Sequence, residues 1–292
     1  MVGDFVSADH GYLRSRDGLR HARKILFPGK NRDGYFTNDK ICEQLERAIE
    51  IVKLEYPDEE HIFIYDNARI HTKRLPQALS ARCMPKGPSD YRVDIIDTIT
   101  NKKSKVKMDD ATFPDGSVQA LYFPDDHPAN PGKFKGMAEL LKERGIESNG
   151  LKRECKNFKC DPTNQRCYCR RLLFNIFDST PPASILETRA ASLGARVIFL
   201  PKFHCELNPI EQVWGYAKYK YRRYPESSSI AELQENVERA LGEVKLDSIR
   251  RYAQRSRRFI AQYAAGMDGT EVAKWARKTF KRHRESPENI NV

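Results

Sequence analysis

Two short apolar runs set the frame for this chain: His61-Ile62-Phe63-Ile64-Tyr65-Asp66 and Arg196-Val197-Ile198-Phe199-Leu200. Each is too short for a helix and carries no polar alternation, the pattern of a strand buried in the middle of an α/β sheet. A long stretch of different character separates them. Residues 84–180 are rich in Pro, Gly, Asp and Lys, with a Pro114-Asp115-Gly116 turn between two short strand-like runs and a helix near 136–144. The sheet must therefore be assembled from two distant pieces of chain. The sequence predicts a core in two parts, 1–83 and 181–223, an insertion at 84–180, and a basic helical region at 224–292. The insertion is expected to be too polar to build a core of its own.

The flanks of the two runs supply the remaining elements. Met1 to Ser7 reads as a first strand, and residues 11–27, through Tyr12, Leu13, Ile25, Leu26 and Phe27, as a strand pair. Ile41, Leu45, Ala48, Ile49 and Val52 recur at helical spacing behind Thr37 or Asn38 as N-cap. A helix near 183–193 stops at Gly194, and Asn208-Pro209 opens another. Beyond Pro225, Ile230, Leu233, Val237 and Leu241, then Ile249, Tyr252, Ser256, Phe259 and Tyr263, form two amphipathic stripes. Arg250, Arg251, Arg255, Arg257 and Arg258 fall largely off the second stripe.

Composition narrows the function classes. The chain has 292 residues, 39% of them hydrophobic and 31% charged, which excludes disordered, collagen-like and disulfide-stapled miniature proteins. No run approaches the ~20 apolar residues of a membrane span, and Met-Val-Gly-Asp-Phe-Val lacks the layout of a signal peptide. Seven cysteines, four of them crowded into 155–169, fit a reducing, intracellular compartment. Lys and Arg number 51 against 40 Asp and Glu, a net charge of +11, and residues 212–292 hold most of the excess. Such a region draws polyanions by counterion release, so nucleic acid is the first partner to consider, with a solvated helical surface as the alternative.

Three carboxylates stand where α/β enzymes place chemistry. Asp66 ends a strand, at the edge where open α/β sheets bind ligands. Asp4 lies in or just after the first strand, and Glu211 falls in the first turn of the helix opened by Asn208 and Pro209. Hard oxygen ligands of this kind hold Mg²⁺ or Mn²⁺, so the three are expected to converge within metal-sharing distance. Each has a plain structural alternative: a turn at Asp66-Asn67, a solvated charge at Asp4, a helix cap at Glu211.

These residues carry a resemblance. Ile64-Tyr65-Asp66-Asn67-Ala68-Arg69-Ile70-His71, followed by Leu200-Pro201-Lys202-Phe203-His204-Cys205-Glu206-Leu207-Asn208-Pro209-Ile210-Glu211-Gln212-Val213-Trp214, resembles the catalytic core of mariner-like DDE transposases. Val2-Gly3-Asp4-Phe5 is similar to the first-acid strand of their large fungal members. The resemblance implies a ribonuclease H-like mixed sheet with flanking helices, an inserted subdomain and a C-terminal helical extension. It implies Asp4, Asp66 and Glu211 as the catalytic, Mg²⁺- or Mn²⁺-binding acids, supported by Asn67, His71 and Asn208. The activity implied is metal-dependent DNA strand cleavage and strand transfer by a nuclear protein acting on transposon ends and target DNA; a homodimer is a candidate assembly, the oligomeric state being open from sequence. The sequence departs from the family in the long gap between Asp66 and Glu211 and in starting at the first-acid strand, without a helix-turn-helix segment. A catalytically inactive DNA-binding remnant and a zinc-stabilised interaction module are the alternatives.

Two further features bear on partners. Cys155, Cys160, Cys167 and Cys169, spaced C-x4-C-x6-C-x-C, are candidate ligands for a structural Zn²⁺, with His204 or Cys205 as substitutes for one. Reduced cysteines packed as small apolar groups are the alternative. On the helix after Asn208, Glu211 shares a stripe with Gly215, Lys218 and Arg222. Lys218, Lys220, Arg222 and Arg223 are therefore candidate contacts to a DNA backbone.

Overall fold

A computed structural model of the chain describes residues 1–97, 100–155, 163–164, 166–178 and 181–280. It is of mixed α/β class and divides into two compact units, residues 1–73 with 185 onward, and residues 74–184.

In the first unit, a curled N-terminal hairpin carries β1 (Val2–Gly3), β2 (Val6–Ser7), β3 (Gly11–Tyr12) and β4 (Lys24–Ile25). β2 pairs with β3 and β1 with β4, both antiparallel. α1 (Asn38–Glu55) begins at Thr37, whose hydroxyl accepts from the Lys40 N–H. Ile41, Leu45, Ala48, Ile49 and Val52 are buried on its inner face. β5 (Ile62–Tyr65) and β10 (Arg196–Phe199) pair in parallel, Ile62 opposite Arg196 and Tyr65 opposite Phe199. Phe63 and Tyr65 pack into the α1 core together with Leu186 and Ala190 of α4 (Ile185–Ser192). Gly194 ends α4 in a left-handed turn (φ +66°).

The two apolar runs are not buried on both faces as their composition suggests. Ile62, Ile64 and Ile198 are 43%, 54% and 42% exposed. Helix packing covers one face of this two-strand ladder, and the pleat turns alternate residues outward. Among the described residues the strands form five two-stranded ladders.

The helical region comprises α5 (Pro209–Tyr221), α6 (Ile230–Gly242), α7 (Leu246–Ala264) and α8 (Gly269–Thr279). Val213 and Ala217 of α5, Leu241, Val244 and Ile249 gather Val2, Val6 and Tyr12 of the hairpin into a second cluster. Leu207, Phe259 and Val272 make a third with Trp275 and Phe280. The α7 stripe buries Ile249, Ser256 and Phe259 as its spacing predicts. α6 is rotated from its predicted stripe: Asn236, Ala240 and Leu241 are buried, while Ile230 and Leu233 are exposed. Asn236 donates to Ser227 Oγ (3.1 Å), so a satisfied amide takes the inward position.

The second unit contradicts the expectation that the insertion lacks a core. Met84, Leu121, Phe134, Met137, Leu140, Leu141 and Leu173 are fully buried in one cluster. Two short helices, α2 (Met137–Glu143) and α3 (Cys169–Asp178), and the antiparallel pairs β6 (Val93–Ile96) with β7 (Lys103–Val106) and β8 (Ala111–Thr112) with β9 (Val118–Gln119) surround it. The two helices carry apolar residues at helical spacing, Met137, Leu140 and Leu141 on α2 and Cys169, Leu172, Leu173 and Phe177 on α3. Met84, Met108, Leu121 and Phe134 stand outside these helices, where no periodicity announces them. Loops gather them. Gly136 (φ +88°) brings the chain so close to Gly87 that a Cβ would lie 2.5 Å from its carbonyl carbon.

Candidate functional site

The site is built at the carboxyl ends of β5 and β10. The ladder continues one bond past the strands, Leu200 N–H donating to Tyr65 O (2.8 Å). Asn67 Nδ2 then donates to Leu200 O (3.4 Å), tying the residue after Asp66 to the segment leading to Glu211. Asp66 Oδ1 accepts from the Ala68 N–H (3.1 Å) and from His71 Nδ1 (2.6 Å), leaving Oδ2 free. The His71 ring packs edge-on against Tyr65 at 4.9 Å, and Asn38 Nδ2 holds the loop by donating to Ile70 O (2.7 Å). The His71 hydrogen bond holds the Asp66 carboxyl below the usual carboxylate range.

Glu211 occupies the third position of α5, where a carboxylate commonly folds back onto the N-cap. In α8, Glu271 does so, accepting from the Asp268 N–H, and in α6 Glu232 accepts from the Ser228 N–H. Glu211 does not. Asn208 caps α5 by itself, its Oδ1 accepting from the Ile210 N–H, and its own N–H is spent on Cys205 O. The Glu211 side chain is left exposed at the positive end of the helix. Gly215, Lys218 and Arg222, one face on from it, are exposed too. Lys220 instead pairs with Glu243 (3.3 Å), and Arg223 donates to Tyr219 Oη. On α7, Arg255 is drawn over Phe280 (4.4 Å), whereas Arg257 and Arg258 are exposed.

Asp4 follows β1 with its side chain 1% exposed. Oδ1 accepts from the Phe5 N–H (2.8 Å) and Oδ2 from Arg23 Nε (2.6 Å). The Arg23 guanidinium also stacks on Tyr12 at 4.5 Å. Burial pushes the Asp4 carboxyl up, with Arg23 opposing it and losing. A cavity of about 650 Å³ opens beside the pair, with Arg14, His21 and Lys245 on its wall.

Neighbours of the three acids touch one another. Phe5 packs edge-on against Phe63 (5.4 Å) and Tyr65 (5.8 Å), and Val2 and Val6 join the cluster that holds Ile210, Val213 and Trp214. The carboxylates are not gathered, however. Among the described residues no three His, Cys, Asp or Glu side chains lie close enough to hold a metal ion. The physical reason is local: Asp4 is turned onto Arg23, Asp66 onto His71, and Glu211 lies on an exposed helix face.

The four candidate zinc ligands differ among themselves. Cys155 and Cys167 are half-buried, Cys167 accepting from Arg171 Nη1 (3.5 Å). Cys169 is fully buried in the insertion core, its thiol pushed up by burial. Cys160 lies outside the described residues. His204 is engaged elsewhere and Cys205 is exposed.

Sequence reasoning missed Arg23 and a network behind the 200–208 loop. Glu206 Oε1 accepts from His204 Nδ1 (2.8 Å) and from Tyr263 Oη (2.9 Å), and Ser256 Oγ donates to Glu206 O (2.9 Å). Burial would raise the Glu206 carboxyl, but these bonds bring it below its ordinary value; the Tyr263 hydroxyl is pushed up to about 12, by burial and then by Glu206. The only sequence signal was Ser256 and Tyr263 on the otherwise apolar stripe of α7. No family model, curated protein or solved structure matches the chain. No helix among the described residues is long and apolar enough to cross a membrane.

Proposed function

We propose that this chain is a DDE-type polynucleotidyl transferase that cleaves and joins DNA strands with divalent metal ions. The observation that carries the reading is Glu211: a carboxylate at a helix start, freed from the capping role its position invites, on the helix reached directly from the end of β10. Asp66 at the adjacent strand end and Asp4 on the hairpin packed against both elements would complete an all-oxygen donor set of the kind Mg²⁺ and Mn²⁺ take once Asp4 leaves Arg23 and the three carboxylates draw together. A bound pair of such ions would supply activation of the attacking oxygen and stabilisation of the leaving one. On this reading His71 orients the Asp66 carboxylate, Asn67 fixes the spacing of the two strand ends, and Lys218 and Arg222 hold phosphates along α5.

A second reading has its own observation. Both Asp4 oxygens are committed, one to Arg23, which favours a chain that binds DNA without cutting it. One experiment decides. Nicking of supercoiled DNA should require Mg²⁺ or Mn²⁺ and fall at least ~100-fold in Asp66→Asn, because an amide cannot supply the charge that holds the metal. Metal-free DNA binding should survive that change, and Lys218→Glu with Arg222→Glu should weaken it and flatten its salt dependence by about one unit of slope per lost phosphate contact. Wild-type protein that binds with a steep salt slope and never cuts would establish the non-catalytic reading.

A further inference from the structure

Phe203 combines two properties that rarely meet. Its backbone is left-handed (φ +67°) and its side chain is 98% exposed. A bulky residue in that region is strained, and glycine would relieve the strain at no steric cost. Exposing a phenyl ring also forgoes the burial that normally justifies a phenylalanine. Neither packing nor backbone geometry accounts for Phe at this position.

The surrounding bonds explain how the conformation is held. On one side Leu200 is fixed by Tyr65 O and Asn67 Nδ2. On the other, His204 is fixed by Glu206, which is itself held by Tyr263, with Ser256 bonding its carbonyl. The ring of His204 also packs edge-on against Tyr263 at 4.9 Å. Pro201-Lys202-Phe203 must bulge between these two anchors, and the bulge presents Phe203 beside the exposed Lys202. Strain maintained by a rigid surround is a signature of a functional position.

We propose that Phe203 is a stacking platform for an unpaired DNA base, with Lys202 beside it to meet the phosphate. This deepens the DNA reading above and rests on it. A phenyl face accepts any nucleobase, and a neighbouring cation suits the polyanionic strand that carries it. The position lies between the strand end next to Asp66 and the helix start bearing Glu211, so a base stacked here would be one near the cleaved phosphate. Phe203 would then select distorted or single-stranded DNA over continuous duplex.

The test compares two metal-free DNA probes: a duplex with a short single-stranded overhang carrying 2-aminopurine, and the same duplex with blunt ends. Wild-type protein should prefer the overhang about tenfold and quench the 2-aminopurine. Phe203→Trp should retain both effects, and Phe203→Gly should lose them while melting no lower than wild type, since glycine relaxes the backbone. Lys218→Glu should weaken both probes equally and leave the preference intact. Equal wild-type affinity for the two probes, or a preference that survives in Phe203→Gly, overturns the proposal while leaving the DNA reading standing. Binding of neither probe overturns both.

Discussion

The two units reach a buried core by partly different routes. In the first, apolar residues recur with the period of the element that carries them: Ile41, Leu45, Ala48, Ile49 and Val52 along α1, Phe63 and Tyr65 along β5. In the second, α2 and α3 contribute helical runs, but Met84, Met108, Leu121 and Phe134 come singly from the segments before α2. Its burial depends on turns and specific polar bonds. Arg144, for example, donates to Gln119 Oε1 (2.7 Å) and Thr112 O (2.8 Å) while its guanidinium stacks on Phe113. A core can thus be completed by residues that no period marks.

The strongest way to break this comparison is to remove a central side chain from each unit. Phe134→Ala, losing a ring packed against Tyr91 and Tyr122, should cost about 3–5 kcal/mol, and Leu45→Ala about 2–5 kcal/mol. Native-state hydrogen exchange should show each change lowering protection mainly in its own unit; equal loss in both would mean the two unfold as one. Next comes the backbone. Gly136→Ala should cost about 2–4 kcal/mol in urea denaturation, because its Cβ meets the Gly87 backbone in addition to the left-handed strain. Gly194→Ala, whose Cβ meets only the flexible end of Lys53, should cost about 1 kcal/mol. Equal costs would remove the claim that close backbone approach is what the second unit relies on.

Cysteine substitutions sharpen the same point at lower energy. Cys169→Ser should cost about 1–3 kcal/mol by burying a hydroxyl, while Cys155→Ser and Cys167→Ser should each cost less than about 0.5 kcal/mol. If all three instead cost several kcal/mol alike and zinc is released, a metal holds the unit together and its core does not suffice. A further small effect is in the first unit and depends on pH. The folded Asp66 carboxyl lies below its unfolded value of about 3.9, so its contribution is present above that pH and is lost as pH falls through the folded value. Half exposure screens it to less than about 1 kcal/mol. His71→Ala should therefore make acid unfolding below pH ~4 shallower, read from denaturation midpoints at several pH values. Asp4 acts with the other sign: its raised value means that ionising it above pH ~3.9 costs the folded state.

What was legible in the sequence follows the same division. The helix caps at Thr37 and Asn208, the stop at Gly194 and both strands of the parallel pair were readable because their chemistry is local. The positions of Asp4, Asp66 and Glu211 at element ends were readable for the same reason. That Asp4 would spend itself on Arg23 was not, because the ion pair depends on how the hairpin curls. Nor was the Glu206 network, whose partners are distant in sequence and meet only once α7 has packed. The β6–β7 pair was missed because nothing in its spacing separates it from the surrounding loops. The helix beginning at Cys169 was missed although Leu172, Leu173, Ile176 and Phe177 follow at helical spacing, a signal overlooked beside the cysteine cluster.

Ile185 N–H donates to Lys73 O (2.8 Å), so the chain leaves the first unit and returns to it at a single hydrogen bond. This has a consequence for the order of events in folding. Pairing β5 with β10 in an unstructured chain requires closing a loop of roughly 130 residues, at a cost that grows by about 0.6 kcal/mol per doubling of length. If residues 74–184 fold first, their ends are already together and the loop left to close shrinks to roughly 20 residues, saving about 1.5–2 kcal/mol of chain entropy. The inserted unit would then act as a clasp that hastens assembly of the unit it interrupts, and refolding of Phe134→Ala should be slowed in the first unit as well as the second.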